Sequence, residues 1–125
     1  MRLWNRLVRG NTPGQRKRVD VFEAHRMQQQ EGAVLVDVRD RHEWAAGSAP
    51  DSRHIPVDQI VERRSELPLS ATVLTICRSG ARSARAASLL RASGFAAIDV
   101  LGGMLAWQAA GLPVVTADGE PGRVI

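Results

Sequence analysis

The sequence contains one cysteine, and it stands at the head of Cys77-Arg78-Ser79-Gly80-Ala81-Arg82-Ser83, directly after the apolar run Thr72-Val73-Leu74-Thr75-Ile76. A thiol is a nucleophile only as thiolate, and an unperturbed cysteine, with a pKa of about 8.5, is a few per cent ionised at neutral pH. The surroundings here favour the anion. A loop leaving a strand can turn back and aim successive backbone N–H groups at the sulfur, and the helix opening near Ser83 as apparent N-cap adds its positive end. Arg78 and Arg82 add full charges, and Gly80 suits a tight cradle whose backbone angles a β-carbon resists. The same ring of donors would hold a persulfide, whose charge sits one atom further out. The plain alternative is an inert buried thiol beside two solvated arginines, cysteine being among the most buried residue types. Strand, basic glycine loop and capped helix in register with Cys77 favour the reactive reading, because an inert thiol needs none of the other three.

The spacing narrows the chemistry. Cysteine-dependent phosphatases resemble this arrangement but place five residues between Cys and Arg, whereas four separate Cys77 from Arg82. A tetrahedral phosphoryl group needs a wider ring of amides than one added sulfur atom, so the shorter loop favours sulfur. A lone cysteine allows neither an internal disulfide nor a Cys-rich zinc site. His25, His42 and His54 have no metal-ligand spacing, so no metal site is expected. Neither a dinucleotide fingerprint nor a phosphate-binding P-loop occurs, and no cofactor is implied.

Alternating strand and helix patterns position this loop. A β-type start at Val19 and Val21 leads into a helix over 22–30, then the buried strand Val34-Leu35-Val36-Asp37-Val38. Asp40 caps a short helix through Trp44, which Gly47 ends. His54-Ile55-Pro56 reads as a very short strand, and Val57, Ile60, Val61 and Arg64 give a face to a helix ending near Leu67-Pro68. After the strand at 72–76 and the Cys77 loop comes a helix along Ala84, Ala87, Leu90 and Arg91. Ile98-Asp99-Val100-Leu101 is the last strand, Gly102-Gly103 the turn, and 104–110 the final helix. Trp44 and Trp107 lie on apolar helix faces and read as core. The pattern predicts an α/β fold with a mostly parallel sheet of about five short strands and helices on both faces. Asp37, Cys77 and Gly102 fall at carboxyl ends of strands, where such sheets bind ligands.

At 125 residues, 44% hydrophobic and 24% charged, the chain has the size and balance of one ordinary globular domain. Its net charge of +4 is unevenly placed. Residues 1–18 hold six basic side chains (Arg2, Arg6, Arg9, Arg16, Lys17, Arg18) and no acidic one, which leaves eleven basic against thirteen acidic over 19–125. The body is slightly acidic, and nucleic-acid binding is not expected. The segment 1–18 reads as a basic amphipathic extension and linker, either packed on its own domain or touching an acidic membrane surface or partner. No apolar run approaches the ~20 residues that cross a bilayer, no secretory signal is visible, and a cytoplasmic location is expected. Residues 117–125 read as a polar tail.

Three separated segments together resemble the rhodanese-like family over about residues 19–115. Leu35-Val36-Asp37-Val38-Arg39-Asp40-Arg41-His42-Glu43-Trp44-Ala45-Ala46-Gly47 is similar to its "DVR, acidic, aromatic, Gly" stretch, Ile76 to Ser83 to its active-site loop, and Val100 to Val114 to its "GG, Trp, Gly-Leu-Pro" signature. Ser48, Ala49, Asp51 and Ser52 depart from the family's His-Ile-Pro-Gly-Ala. The resemblance implies a rhodanese-like domain over 19–116, Cys77 as the nucleophile that forms a persulfide, and residues 78–82 as amide donors. It also implies Asp37 and Arg39 at the floor of the site, with Ser83 supporting; an ion pair that merely braces the sheet is the alternative for the first two. The activity implied is sulfur transfer from thiosulfate or a protein persulfide to an external thiol or cyanide, Arg78 and Arg82 binding the anionic donor. A non-catalytic interaction module is the second reading, and a phosphatase or arsenate reductase the third.

Overall fold

The computed structural model describes residues 16–125. Five strands form one sheet: β1 (Arg18–Val19), β2 (Val34–Asp37), β3 (Arg53–His54), β4 (Thr72–Ile76) and β5 (Ala96–Val100). Their order is β1-β5-β4-β2-β3, and every pairing is parallel. Three helices lie between strands, α1 (Val21–Gln30), α2 (Arg41–Ala46) and α3 (Ala81–Ala92), and α4 (Gly103–Ala109) follows β5.

Alternation along the strands divides the core in two. Leu35, Leu74, Ile76, Ile98 and Val100 face α1 and α4, where Ala24, Met27, Met104 and Trp107 complete one cluster. Val36, Val73, Cys77 and Ala97 face the other way, against Ala86, Ala87 and Leu90 of α3 and against Ile55, Ile60 and Leu67. The helices therefore cover both faces, as the strand-helix alternation requires.

Two stretches differ from expectation. The face at Val57, Ile60, Val61 and Arg64 is not one helix but two single turns of 3-10 helix, Val57–Gln59 and Arg64–Glu66. Ile60 alone supplies a fully buried anchor between them, too little apolar stripe to hold a regular helix on the sheet. The closing segment does not trail away. Val115 forms antiparallel bridges with Ser48 and Pro121, and the Arg123 N–H reaches the Ala46 carbonyl at 3.1 Å. A β-carbon on Gly47 would lie 2.4 Å from the Arg123 carbonyl oxygen, so only glycine allows that return.

Candidate active site

Cys77 directly follows β4 and is 1% exposed. Its loop takes its shape from both sides. Gly80, at φ 136°, adopts a backbone angle that L side chains resist, and its N–H points at Cys77 Sγ at 3.1 Å. Gly80 is also the residue before α3, and its carbonyl accepts from the Ala84 N–H. From the other side, the first turn of α4 takes up the loop carbonyls: the Met104 N–H donates to Cys77 at 2.7 Å and the Leu105 N–H to Arg78 at 3.1 Å. With the Cys77 and Arg78 carbonyls held away, one of the five expected backbone donors, the Gly80 N–H, is at hydrogen-bond distance from the sulfur among the described residues. Gly103 makes this approach possible, because a β-carbon there would lie 2.5 Å from the carbonyl oxygens of both Cys77 and Arg78.

Ser83 is not the N-cap of the following helix. Helix α3 starts two residues earlier, because Gly80 supplies the cap position, and Ser83 lies fully buried in the first turn. There its hydroxyl sits 3.3 Å from Cys77 Sγ and donates to the Gly80 carbonyl at 3.1 Å. Among the described residues, the contacts to sulfur at hydrogen-bond distance come from Gly80 and Ser83. Ser79 and Ala81 are exposed on the loop.

Both arginines of the loop have partners. Arg82 forms a two-pronged ion pair with Glu43 of α2, at 2.7 and 3.0 Å. The Arg82 guanidinium holds the Glu43 carboxyl down at about 2, and Glu43 raises Arg82 in return. Glu43 also accepts from the Asp40 N–H at 2.9 Å, closing the first turn of α2. Helix α2 is thus tied to the cysteine loop by a charged pair. Arg78 is exposed, and its Nε donates to the Ile125 carbonyl at 3.0 Å.

Asp37 and Arg39 form a wholly buried ion pair, with Nε and Nη2 of Arg39 on the Asp37 carboxylate at 2.7 to 3.1 Å. Arg39 Nη2 also reaches the Gly47 carbonyl, and the His54 ring donates through Nε2 to the Arg39 carbonyl at 2.7 Å. The pair therefore knits the ends of β2, β3 and α2 together instead of touching sulfur. His54 stacks on Trp44 at 5.3 Å. Trp44, expected in the core, is half-buried on that stack, its Nε1 donating to Ser52 Oγ at 3.3 Å. Trp107 is fully buried, its Nε1 donating to the Pro113 carbonyl. Asp51, where the resemblance has glycine, takes the left-handed angle a glycine would (φ 64°), a conformation aspartate tolerates.

Read from the sequence alone, Glu43 has no role and Gly103 is only part of a turn. The acidic position of the "DVR" stretch and the second glycine of the Gly-Gly turn were the signals, and neither names its partner without the fold.

The family profile described as the rhodanese-like domain matches residues 20–110. A sulfurtransferase of Allochromatium vinosum is 38% identical over 97 residues, covering 77% of this chain and 91% of its own. Thiosulfate sulfurtransferase GlpE of Pseudomonas putida is 36% identical over 104 residues, covering 82% and 94%. Among solved structures, a rhodanese-related protein of Thermoplasma volcanium matches with a TM-score of 0.71 at 30% identity, over 79% of this chain and 97% of that one. The BH2092 protein of Bacillus halodurans matches with a TM-score of 0.75 over 94% and 89%, and at 23% identity speaks for the fold alone.

Proposed function

The chain belongs to the rhodanese-like domain family, and from that membership we propose that it transfers sulfane sulfur through a persulfide on Cys77. The observation that carries the proposal is the Gly80 N–H at 3.1 Å from Cys77 Sγ, at the positive end of a 12-residue helix. That donor gives the sulfur a hydrogen bond, and the helix end gives it partial positive charge.

The reaction runs in two displacements. Cys77 thiolate attacks the outer sulfur of thiosulfate, the sulfur–sulfur bond of the donor breaks, and sulfite leaves with the electron pair. The persulfide's outer sulfur is then attacked by an external thiolate or by cyanide, and Cys77 leaves as thiolate. With one cysteine in the sequence, no internal thiol can resolve the persulfide, and the acceptor comes from outside. The exposed face of residues 78–82 meets the donor. Arg78 is the more available cation there, because Glu43 already offsets Arg82.

The same reading places the catalytic domain over 19–116, with 117–125 as its closing segment. The basic segment 1–18, of which residues 1–15 lie outside the described part, serves as a contact to an acidic membrane surface or partner. The protein works in the cytoplasm. No helix among the described residues is long and apolar enough to cross a membrane.

Thiocyanate formation from thiosulfate and cyanide tests the proposal. Wild type turns over and Cys77→Ser does not; equal rates in the two, or no turnover with thiosulfate or a protein persulfide as donor, would overturn it.

A further inference from the structure

The segment that follows Val115 returns to the cysteine loop along a course fixed by its own contacts. The Gly122 N–H donates to the Val114 carbonyl at 2.9 Å, and the Arg123 N–H to the Ala46 carbonyl at 3.1 Å. Two glycines face each other where the segment crosses the end of α2. A β-carbon on Gly122 would lie 2.9 Å from the Ala46 carbonyl oxygen and from Gly47 Cα, just as one on Gly47 would meet the backbone of Arg123. Past that crossing, Val124 packs against the core cluster that holds Met104 and Trp107. Its N–H donates to Gln108 Oε1 of α4 at 3.0 Å. The next residue then delivers a backbone carbonyl to the cysteine loop, where Ile125 accepts from Arg78 Nε at 3.0 Å.

An exposed arginine samples many rotamers, and that freedom is lost when it grips a ligand. Arg78 is exposed, and among the described residues the Ile125 carbonyl is the one acceptor its side chain meets. The guanidinium is planar and its donors form a rigid fork. Holding Nε therefore orients the edge made by Nη1 and Nη2, which has no partner among the described residues and suits two oxygens of an anion. The backbone beneath is fixed as well, because the Leu105 N–H holds the Arg78 carbonyl. We propose that the closing segment is a positioning element for the anionic sulfur donor. Gln108 and Gly122 seat the segment, the Ile125 carbonyl holds Arg78 Nε, and the terminal nitrogens of Arg78 meet the donor's oxygens. Arg82 is less able to take that part, since Glu43 occupies two of its nitrogens. Both arginines of the loop are thus held from outside it, one by α2 and the other by the closing segment.

The inference rests on the reading of Cys77 as a carrier fed by an anionic donor, but its test needs no sulfur transfer. Thiosulfate is titrated at fixed ionic strength into the full chain carrying Cys77→Ser, with binding followed by NMR chemical shifts. Gln108→Ala and Gly122→Ala, each added to that background, weaken binding about threefold, the effect of ordering one hydrogen-bonded side chain at the moment of binding. Arg78→Ala weakens it by about tenfold or more, the loss of charge-assisted bonds to an anion. Gln108→Ala then adds nothing to Arg78→Ala, because it acts through that guanidinium. The Arg78 Nε–H resonance moves toward that of a solvated arginine in Gln108→Ala, a change that a general loss of stability does not produce. Unaltered affinity in both Gln108→Ala and Gly122→Ala overturns the proposal, as does an equal loss from Gln108→Ala with and without Arg78. Absence of saturable thiosulfate binding in Cys77→Ser also overturns it. Failure of wild type to form a persulfide from any donor sinks the sulfur-carrier reading instead, and the titration still decides what the closing segment does.

Discussion

Arg82 is half of an ion pair, since Glu43 already takes two of its nitrogens. Its charge is positioned more than it is free. Glu43→Gln should therefore lower the KM for thiosulfate, by about threefold, while destabilising the fold by about 1 to 2 kcal/mol through the lost charged hydrogen bonds. A rise in KM would show that the pair, and not the guanidinium alone, receives the donor. The pH dependence has a definite sign. Arg82 depresses the Glu43 carboxyl in the folded state from its ordinary 4.5 to about 2. The pair's stabilisation is thus complete above about pH 4.5 and is lost as pH falls toward 2. Urea denaturation of wild type and Glu43→Gln at pH 7 and at pH 3 should show the difference between them shrinking in acid. A difference that grew in acid would contradict the assignment.

At the scale of elements, the loop is shaped as much by α4 as by its own residues. The Met104 and Leu105 N–H groups hold the Cys77 and Arg78 carbonyls, and Gly103 allows the approach at φ 61°. Gly103→Ala should cost at least tenfold in kcat/KM, with a misplaced loop even where the fold survives; activity and melting temperature measured together check this. The strands, α1, α3 and the Cys77 loop were legible in the sequence, since apolar runs and a glycine-bearing basic segment are local signals. The stretch at 57–66 was not, because its apparent helical face counts apolar residues without knowing that only Ile60 among them is fully buried. Ser83 reads as an N-cap for a related reason. A serine before an alanine-rich helix is the usual cap signal, and only the positive φ of Gly80 shows that the helix has already begun. The contacts of Glu43 with Arg82 and of Ser83 with sulfur cross between elements, and no local pattern encodes them.

At the scale of the whole molecule, one buried ion pair links the ends of the central strands to the closing segment. Asp37 and Arg39 lie fully buried, Arg39 holds the Gly47 carbonyl, and Gly47 packs on Arg123. Removing one partner strands the other charge in the interior, so Asp37→Ala should destabilise by about 3 to 5 kcal/mol, read as a shift in urea midpoint. A loss under about 1 kcal/mol would contradict that view of the core. No atom of the pair lies at hydrogen-bond distance from sulfur among the described residues, so its contacts are those of a brace at the strand ends. The central claim, that this scaffold holds a sulfur atom on Cys77, is tested most directly by intact mass after thiosulfate treatment. Wild type should gain about 32 Da, one sulfur atom, reversed by a thiol reductant and absent in Cys77→Ser. No gain with thiosulfate or any persulfide donor, or the same gain in Cys77→Ser, would contradict it.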